Sequence, residues 1–372
     1  MRNEISVSHV GLDHHRRFGR VTARDAQNRV VWRDRLEYRD RAALRQKLAQ
    51  WPQGLPVVLE GTFGWGWMSD ELLAAKLEPH LANSGKLAGW RKARGLAKNN
   101  RLDADLLSEV WLERERWWEV WLAPPEVRRQ REWMRYRMGL VRTQTALKNK
   151  THAILHGHGV WHEYTDLFGV QGRRFLNLLV AGQEGNLPES TRRVLKGELQ
   201  LLDALRRQIA GATRLLRREL TGSQAGQWLR TLPGISWILS HTILAEVGRF
   251  DRFPSAGHLA SYSLLAPRAC DSGDEDGGTP IGRHVGKIGR RTLKWAWMEA
   301  AHTAVRSSPR MRALYDRRTD GGQRDKNRGV ILVAHQLCRI GYLLEKKQMA
   351  YLENPPAGPT GQRRSVSRSV MG

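Results

Sequence analysis

Cysteine is nearly absent. The 372 residues include only Cys270 and Cys338, at no metal-ligand spacing. That excludes a disulfide framework and a cysteine zinc site, and it fits a reducing cytoplasm. No apolar run reaches the roughly 18 residues that span a bilayer, and the opening MRNEISVSHV does not read as a secretory signal. Acid is scarce beside base: 37 Asp plus Glu against 62 Lys plus Arg, a formal net charge of +25. Such a surface gains free energy by releasing the counterions of a polyanion, so the expected partner is nucleic acid and not a membrane. Tryptophan, by contrast, is plentiful at 15 residues. Most will serve the core, although indoles also stack on bases.

The length allows two or three domains. Residues 1–110 read as α/β. ISVSHVGLD is a strand ending at Asp13, and FGRVTAR and NRVVWRDRL are two more joined by DAQN. Residues 40–51 have helical spacing, with Leu44, Leu48 and Trp51 on one face. PVVLEG is a short buried strand ending at Glu60, followed by a helix near 65–76 and a strand around LEPHLAN. Helix is expected from Leu102 to the Pro124-Pro125 pair, and a long helix after it, with proline at the start, where its missing N–H costs nothing. A second long helix, from about 190 to 220, repeats Leu195, Leu199, Leu202, Leu205, Ile209, Ala212 and Leu216 at three- and four-residue steps. Residues 111–225 therefore read as a helical, antiparallel coiled-coil arm, and 226–350 as a mainly helical C-terminal domain. Its first segment is a helix, a Leu-Pro-Gly-Ile turn and a helix closed by Gly248. The tail from 351 to 372 is rich in Pro, Gly, Ser and Arg and reads as disordered.

Asp13 and Glu60 each end a strand, and Asp103 lies in the helix after a basic loop. Neighbouring strand ends and one helix can bring three such acids together as oxygen ligands for hard divalent cations. They can equally be ordinary acids at the ends of elements. Asp105 reads as an exposed first-turn acid favouring the helix dipole.

VGLDHHR, VVLEGTFGW and KNNRLDADLL resemble the three signature blocks of the DEDD insertion-sequence transposases, the family related to the Piv DNA invertase. LPGISWILSHTILAEVGRFDRFPSAGHLASYSLLAPRACDSG and GKIGRRTLKWAWMEAA resemble that family's C-terminal transposase domain. The resemblance implies an RNase H-like, RuvC-like N-terminal domain and DNA recombination guided by a structured bridge RNA. It further implies Mg²⁺ held by Asp13, Glu60, the position of Asn100, and Asp103, with Asp13, Glu60 and Asp103 catalytic. Asn100 stands where the family usually has Asp; its carbonyl oxygen can coordinate but brings no charge. The family's nucleophilic serine falls on Ser272, which would form a phosphoserine link to DNA. A homo-oligomer, dimer or tetramer, with composite sites is implied, in the bacterial cytoplasm at the nucleoid.

Three basic groups are candidates for nucleic-acid contacts. Lys92, Arg94 and Lys98 precede Asp103. Arg128, Arg131, Arg135, Arg142 and Lys148 run along the arm with Trp133 and Tyr136 among them. Lys287, Arg290, Arg291 and Lys294 follow Ser272 and could clamp phosphates. The second and third groups could instead be solvated helix faces. Two other functions remain open: a metal-dependent nuclease of the Holliday-junction type, in which water attacks, and a degenerate transposase that only binds nucleic acid.

Overall fold

The computed structural model describes residues 6–95, 100–113, 119–220, 224, 226–266 and 290–353. The chain forms two compact units, Met1–Glu126 and Val127–Gly372.

The first unit is a mixed sheet with helices on both faces. Its strands are β1 (His9–His14), β2 (Phe18–Arg24), β3 (Val30–Glu37), β4 (Pro56–Glu60), β5 (Glu78–Ala82) and β6 (Glu119–Val120), in the order β3-β2-β1-β4-β5-β6. β1, β4 and β5 run parallel; β2 is antiparallel to β1 and β3, and β6 is antiparallel to β5. β4 is apolar up to Glu60 because both its faces are covered. Val57 and Leu59 join Val10, Leu12 and Leu36 against Leu44 and Leu48 of α1 (Arg41–Leu48) and Met68 and Leu72 of α2 (Trp65–Ala74). Val58 faces the other way, onto Leu87 of α3 (Ser84–Ala93) and Leu106, Leu107 and Val110 of α4 (Asn100–Val110).

Two elements depart from the sequence reading. The basic stretch before Asp103 is not a loop through residues 84–93 but α3, whose first amides are capped by the Asn83 side chain. The helix holding Asp103 stops at Val110 and does not run on to the prolines. A 3-10 turn follows (Trp111–Glu113), and then β6 extends the sheet by pairing Glu119 with Ala82.

The second unit is helical. α5 (Pro125–Gly157) and α7 (Glu189–Glu219) run antiparallel, with α6 (Val170–Ala181) between them in the chain. Arg137 Nε donates to Thr213 Oγ1 near one end, and Lys150 pairs with Glu198 near the other. Leu195, Leu199, Leu202, Leu205, Ala212 and Leu216 are buried as the spacing predicts, whereas Ile209 is half-buried.

α8 (Trp237–Val247), α9 (Ala256–Tyr262), α10 (Arg291–Ser307), α11 (Pro309–Thr319) and α12 (Lys326–Lys347) enclose a core around Trp297, Leu293, Ile243 and Leu337. The Leu-Pro-Gly-Ile turn is preceded by a 3-10 turn (Leu229–Thr231) rather than a full helix. Gly234 in that turn has φ of 79°, and a Cβ there would lie 2.2 Å from the Ala300 carbonyl oxygen, so only glycine fits. Residues 351–353, expected to be disordered, are anchored. Tyr351 N–H donates to Thr231 Oγ1, and the Glu353 carboxylate accepts from Ser308. The rest of the tail lies outside the described residues.

Candidate functional site: an acidic pocket at the ends of parallel strands

Parallel pairing sets Leu12 level with Leu59, so the next residues, Asp13 and Glu60, leave adjacent strands at the same edge. α4 is brought to that edge by a glycine. A Cβ on Gly11 would lie 2.3 Å from both the Ala104 carbonyl oxygen and the Ser108 nitrogen. The bare backbone of β1 therefore lets the helix lie against it, and Asp103 arrives beside Asp13. Asp13, Glu60 and Asp103 line one cavity of about 410 Å³ with His14, His15 and Phe63.

Asp13 and Asp103 are 7% and 6% exposed. The Asp13 carboxyl is pushed up to about 6. Burial is the main cause; the nearby His15 opposes it, and the charges of Asp103 and Glu60 add to it. His15 Nε2 lies 2.8 Å from Asp13 Oδ2, and Arg91 Nε lies 2.9 Å from Asp103 Oδ1. Both contacts are close but poorly aligned as hydrogen bonds. His14 is held neutral: burial, helped by His15 and Arg41, brings its pKa down to about 4. Its Nδ1 shares a 2.9 Å hydrogen bond with the Tyr38 hydroxyl, itself pushed up by burial and by Asp13. Phe63 stands at the rim, 96% exposed.

The donors suit a hard divalent cation in kind: carboxylates facing one cavity and repelling one another. Two of their oxygens are buried and lack a well-aligned donor. In the present arrangement, however, no group of three or more His, Cys, Asp or Glu among the described residues is disposed to hold a metal ion. Arg91 supplies positive charge beside Asp103, and His15 lies against Asp13. Both would have to turn aside for an ion to bind.

Asp105 corrects the sequence reading. It is neither exposed nor in the first turn, but the sixth residue of α4, facing β2 and β3. It accepts from Thr22 Oγ1 at 2.7 Å and from Arg33 Nε at 3.0 Å. Burial works against its charge, but the bonds from Arg33 and Thr22 prevail and hold the carboxyl below the usual range. It fastens the helix to the sheet.

Several of the basic candidates are engaged in internal contacts. Arg94 is paired with Glu109. Arg131 donates to the carbonyls of Ala245 and Glu246 at the C-terminal end of α8. Arg135 makes two 2.8 Å bonds to the buried Glu246 carboxylate, which also pairs with Arg290. These are internal ties. Lys92, Arg142 and Arg291 are exposed, Arg128 and Lys294 are half-buried, and Lys148 lies over the Phe168 ring. Ser272, Lys98 and Lys287 lie outside the described residues, as does the side chain of Asn100, which opens α4. Sequence reasoning missed His14 and His15 as parts of the pocket. The two histidines stood beside Asp13 in LDHHR, without a spacing that marked them.

A 91-residue segment of the second unit, Gly226 to Asp316, begins where the sequence reading starts the C-terminal domain. It contains α8, α9, α10 and the position of Ser272. Residues 226–316 match the Transposase IS116/IS110/IS902 family. The chain is also similar to the "Insertion element IS110 uncharacterized 43.6 kDa protein" of Streptomyces coelicolor, 31% identical over 131 residues. That alignment covers 35% of this chain and 31% of the relative, so the chain spans about a third of that relative's length. The first likeness is to a transposase family and the second to an insertion-element protein. No helix among the described residues is long and apolar enough to cross a membrane.

Proposed function

We propose that this chain is a DNA transposase that cuts and rejoins DNA using the acidic pocket of its first unit and Ser272 of its second. The convergence of Asp13, Glu60 and Asp103 on one cavity carries the reading. The strand order, with three parallel strands flanked by antiparallel ones, supports an RNase H-like reading of this unit. The transposase match over 226–316 supports the assignment of the second.

Asp13, Glu60 and Asp103, with Asn100 at the head of the same helix, would hold Mg²⁺. When bound, the ion would polarise the scissile phosphate and favour loss of the proton from the attacking hydroxyl. The chain's own contribution is to fix the acids on two strand ends and a helix, with Asp13 and Asp103 largely buried. His14, held neutral, adds no charge that would compete for the carboxylates. Phe63 offers an exposed ring at the rim to a base of the substrate. Ser272 would attack the phosphorus, releasing the 3′ or 5′ oxygen of the cut strand as leaving group and conserving the phosphoester as phosphoserine. A structured RNA from the mobile element would choose the DNA, and an oligomer would bring the two units of a site together.

A second reading is favoured by the pairing of Asp103 with Arg91 and by Asn100: a transposase relative that binds nucleic acid without cutting. Incubation with element DNA and Mg²⁺ separates the two. The first reading predicts a denaturant-resistant protein–DNA adduct, lost with Ser272→Ala and with EDTA. An adduct that persists in Ser272→Ala removes the serine, and one that forms in EDTA removes the metal. No adduct under any condition favours the second reading. Sequencing RNA that co-purifies from the host tests the guide: a discrete structured species supports it, and random RNA refutes it.

A further inference from the structure

The second unit has a cationic cavity of its own. It lies between α6 and the first turns of α7 and encloses about 630 Å³, within the range of small-ligand pockets. Its walls carry Arg173, Arg192, Arg193 and Lys196 against one carboxylate, Glu189. Arg193 pairs with Glu189, but both are largely exposed, and such a pair contributes little. Arg173 Nη2 is taken by Asp203. Arg173 Nη1 and Arg192 Nε are then shut off from solvent with no acceptor. Both guanidiniums nonetheless line the cavity, where an oxygen-rich anion can reach their outward N–H groups. α7 starts here with Pro188 at its cap and no side chain bonded to its first amides, so the helix end adds charge of the same sign.

The neighbouring loop adds a flat apolar surface. His158 Nε2 lies 3.2 Å from the hydroxyl of Thr191, the residue before Arg192. Three residues on, Trp161 is 80% exposed and sits edge-on to His156, with ring centroids 5.9 Å apart. Planar arginine forks match phosphate oxygens, and an exposed indole stacks on unpaired bases. A carboxylate-rich protein would satisfy the arginines but would leave Trp161 without a role.

We infer that this cavity binds the phosphodiester backbone of single-stranded nucleic acid, with Arg173 and Arg192 on a phosphate and Trp161 stacked on a nearby base. The site shares with the proposed function only the class of ligand; it uses neither the acidic pocket nor Ser272. The test is binding of a fluorescent single-stranded oligonucleotide to the full-length protein, followed by anisotropy across a salt series. The readout is binding and not cleavage, so it stands apart from the acidic pocket and from Ser272. Arg192→Ala/Lys196→Ala should weaken binding about ten-fold at physiological salt and lower the log–log salt slope by about 1.4, the loss of two phosphate contacts on a single strand. Trp161→Ala should weaken binding several-fold and leave the slope unchanged. If the Arg192 variant fails to fold, Arg193→Gln/Lys196→Gln, which changes two exposed side chains, should lower the slope in the same direction. Parental affinity and slope in the folded basic variants would overturn the inference. So would inorganic phosphate raising the melting temperature of the parent but not of the variant while strand binding is unaffected; the cavity would then hold free phosphate only.

Discussion

Replacing Asp13 by asparagine should make the first unit more stable while removing activity. Asp13 is nearly isosteric with asparagine, so the change removes charge and little else. The carboxyl stands at about 6 in the folded chain against an ordinary 3.8. A shift of about two units corresponds to roughly 3 kcal/mol at most. The cavity is open to water, and the variant also loses the attraction of His15, so about 1–2 kcal/mol is expected. The folded chain binds this proton more tightly than the unfolded one. The penalty is therefore absent below about pH 4, grows as the pH rises towards 6, and is complete above it. Hydrogen exchange at the β1 and α4 amides is the right assay, because it reports this unit even if the other unfolds separately. Slower exchange in Asp13→Asn at pH 7, converging with the parent near pH 4, is the expected result. A variant less stable at pH 7, or a gap that does not depend on pH, would refute the account of the pocket as a site of mutual repulsion. If the carboxylates also hold Mg²⁺, the ion should slow exchange in the parent and not in the variant.

Two further substitutions test how the scaffold is held. Gly11→Ala should destabilise the first unit by about 1–3 kcal/mol, because its Cβ meets the backbone of α4 and not a movable side chain; urea unfolding checks it. Glu246→Ala should cost about 3–5 kcal/mol in the second unit, since it strands Arg135 and Arg290 beside a buried Arg131. A thermal melt unchanged by that substitution would show the pairs to be idle.

Much of the first unit was legible because its signals are local. The alternation in FGRVTAR, the apolar PVVLE and the leucines of residues 40–51 all fall where the strands and helix form. The placement of Asp13 and Glu60 followed from two adjacent strand ends. What escaped the sequence depends on partners far along the chain. α3 has two glycines and no apolar stripe, and only Asn83 marks its start. β6 is two residues long and exists because β5 offers an edge. Asp105 reads as surface until Thr22 and Arg33 come to meet it. Composition counts an arginine the same whether it faces solvent, as Arg142 does, or is spent on Glu246, as Arg135 is.

The clasp around Glu246 has a mechanical meaning. Arg131 and Arg135 lie in the first turns of a 33-residue helix, which at 1.5 Å per residue extends about 50 Å. Gripped near one end and braced along its length by α7, that helix is a lever with a welded root. A load applied at its far tip, beside Trp161, would be passed in part to the C-terminal end of α8. The same end of α8 is joined through Glu246 to Arg290, the first described residue after the segment that contains Ser272.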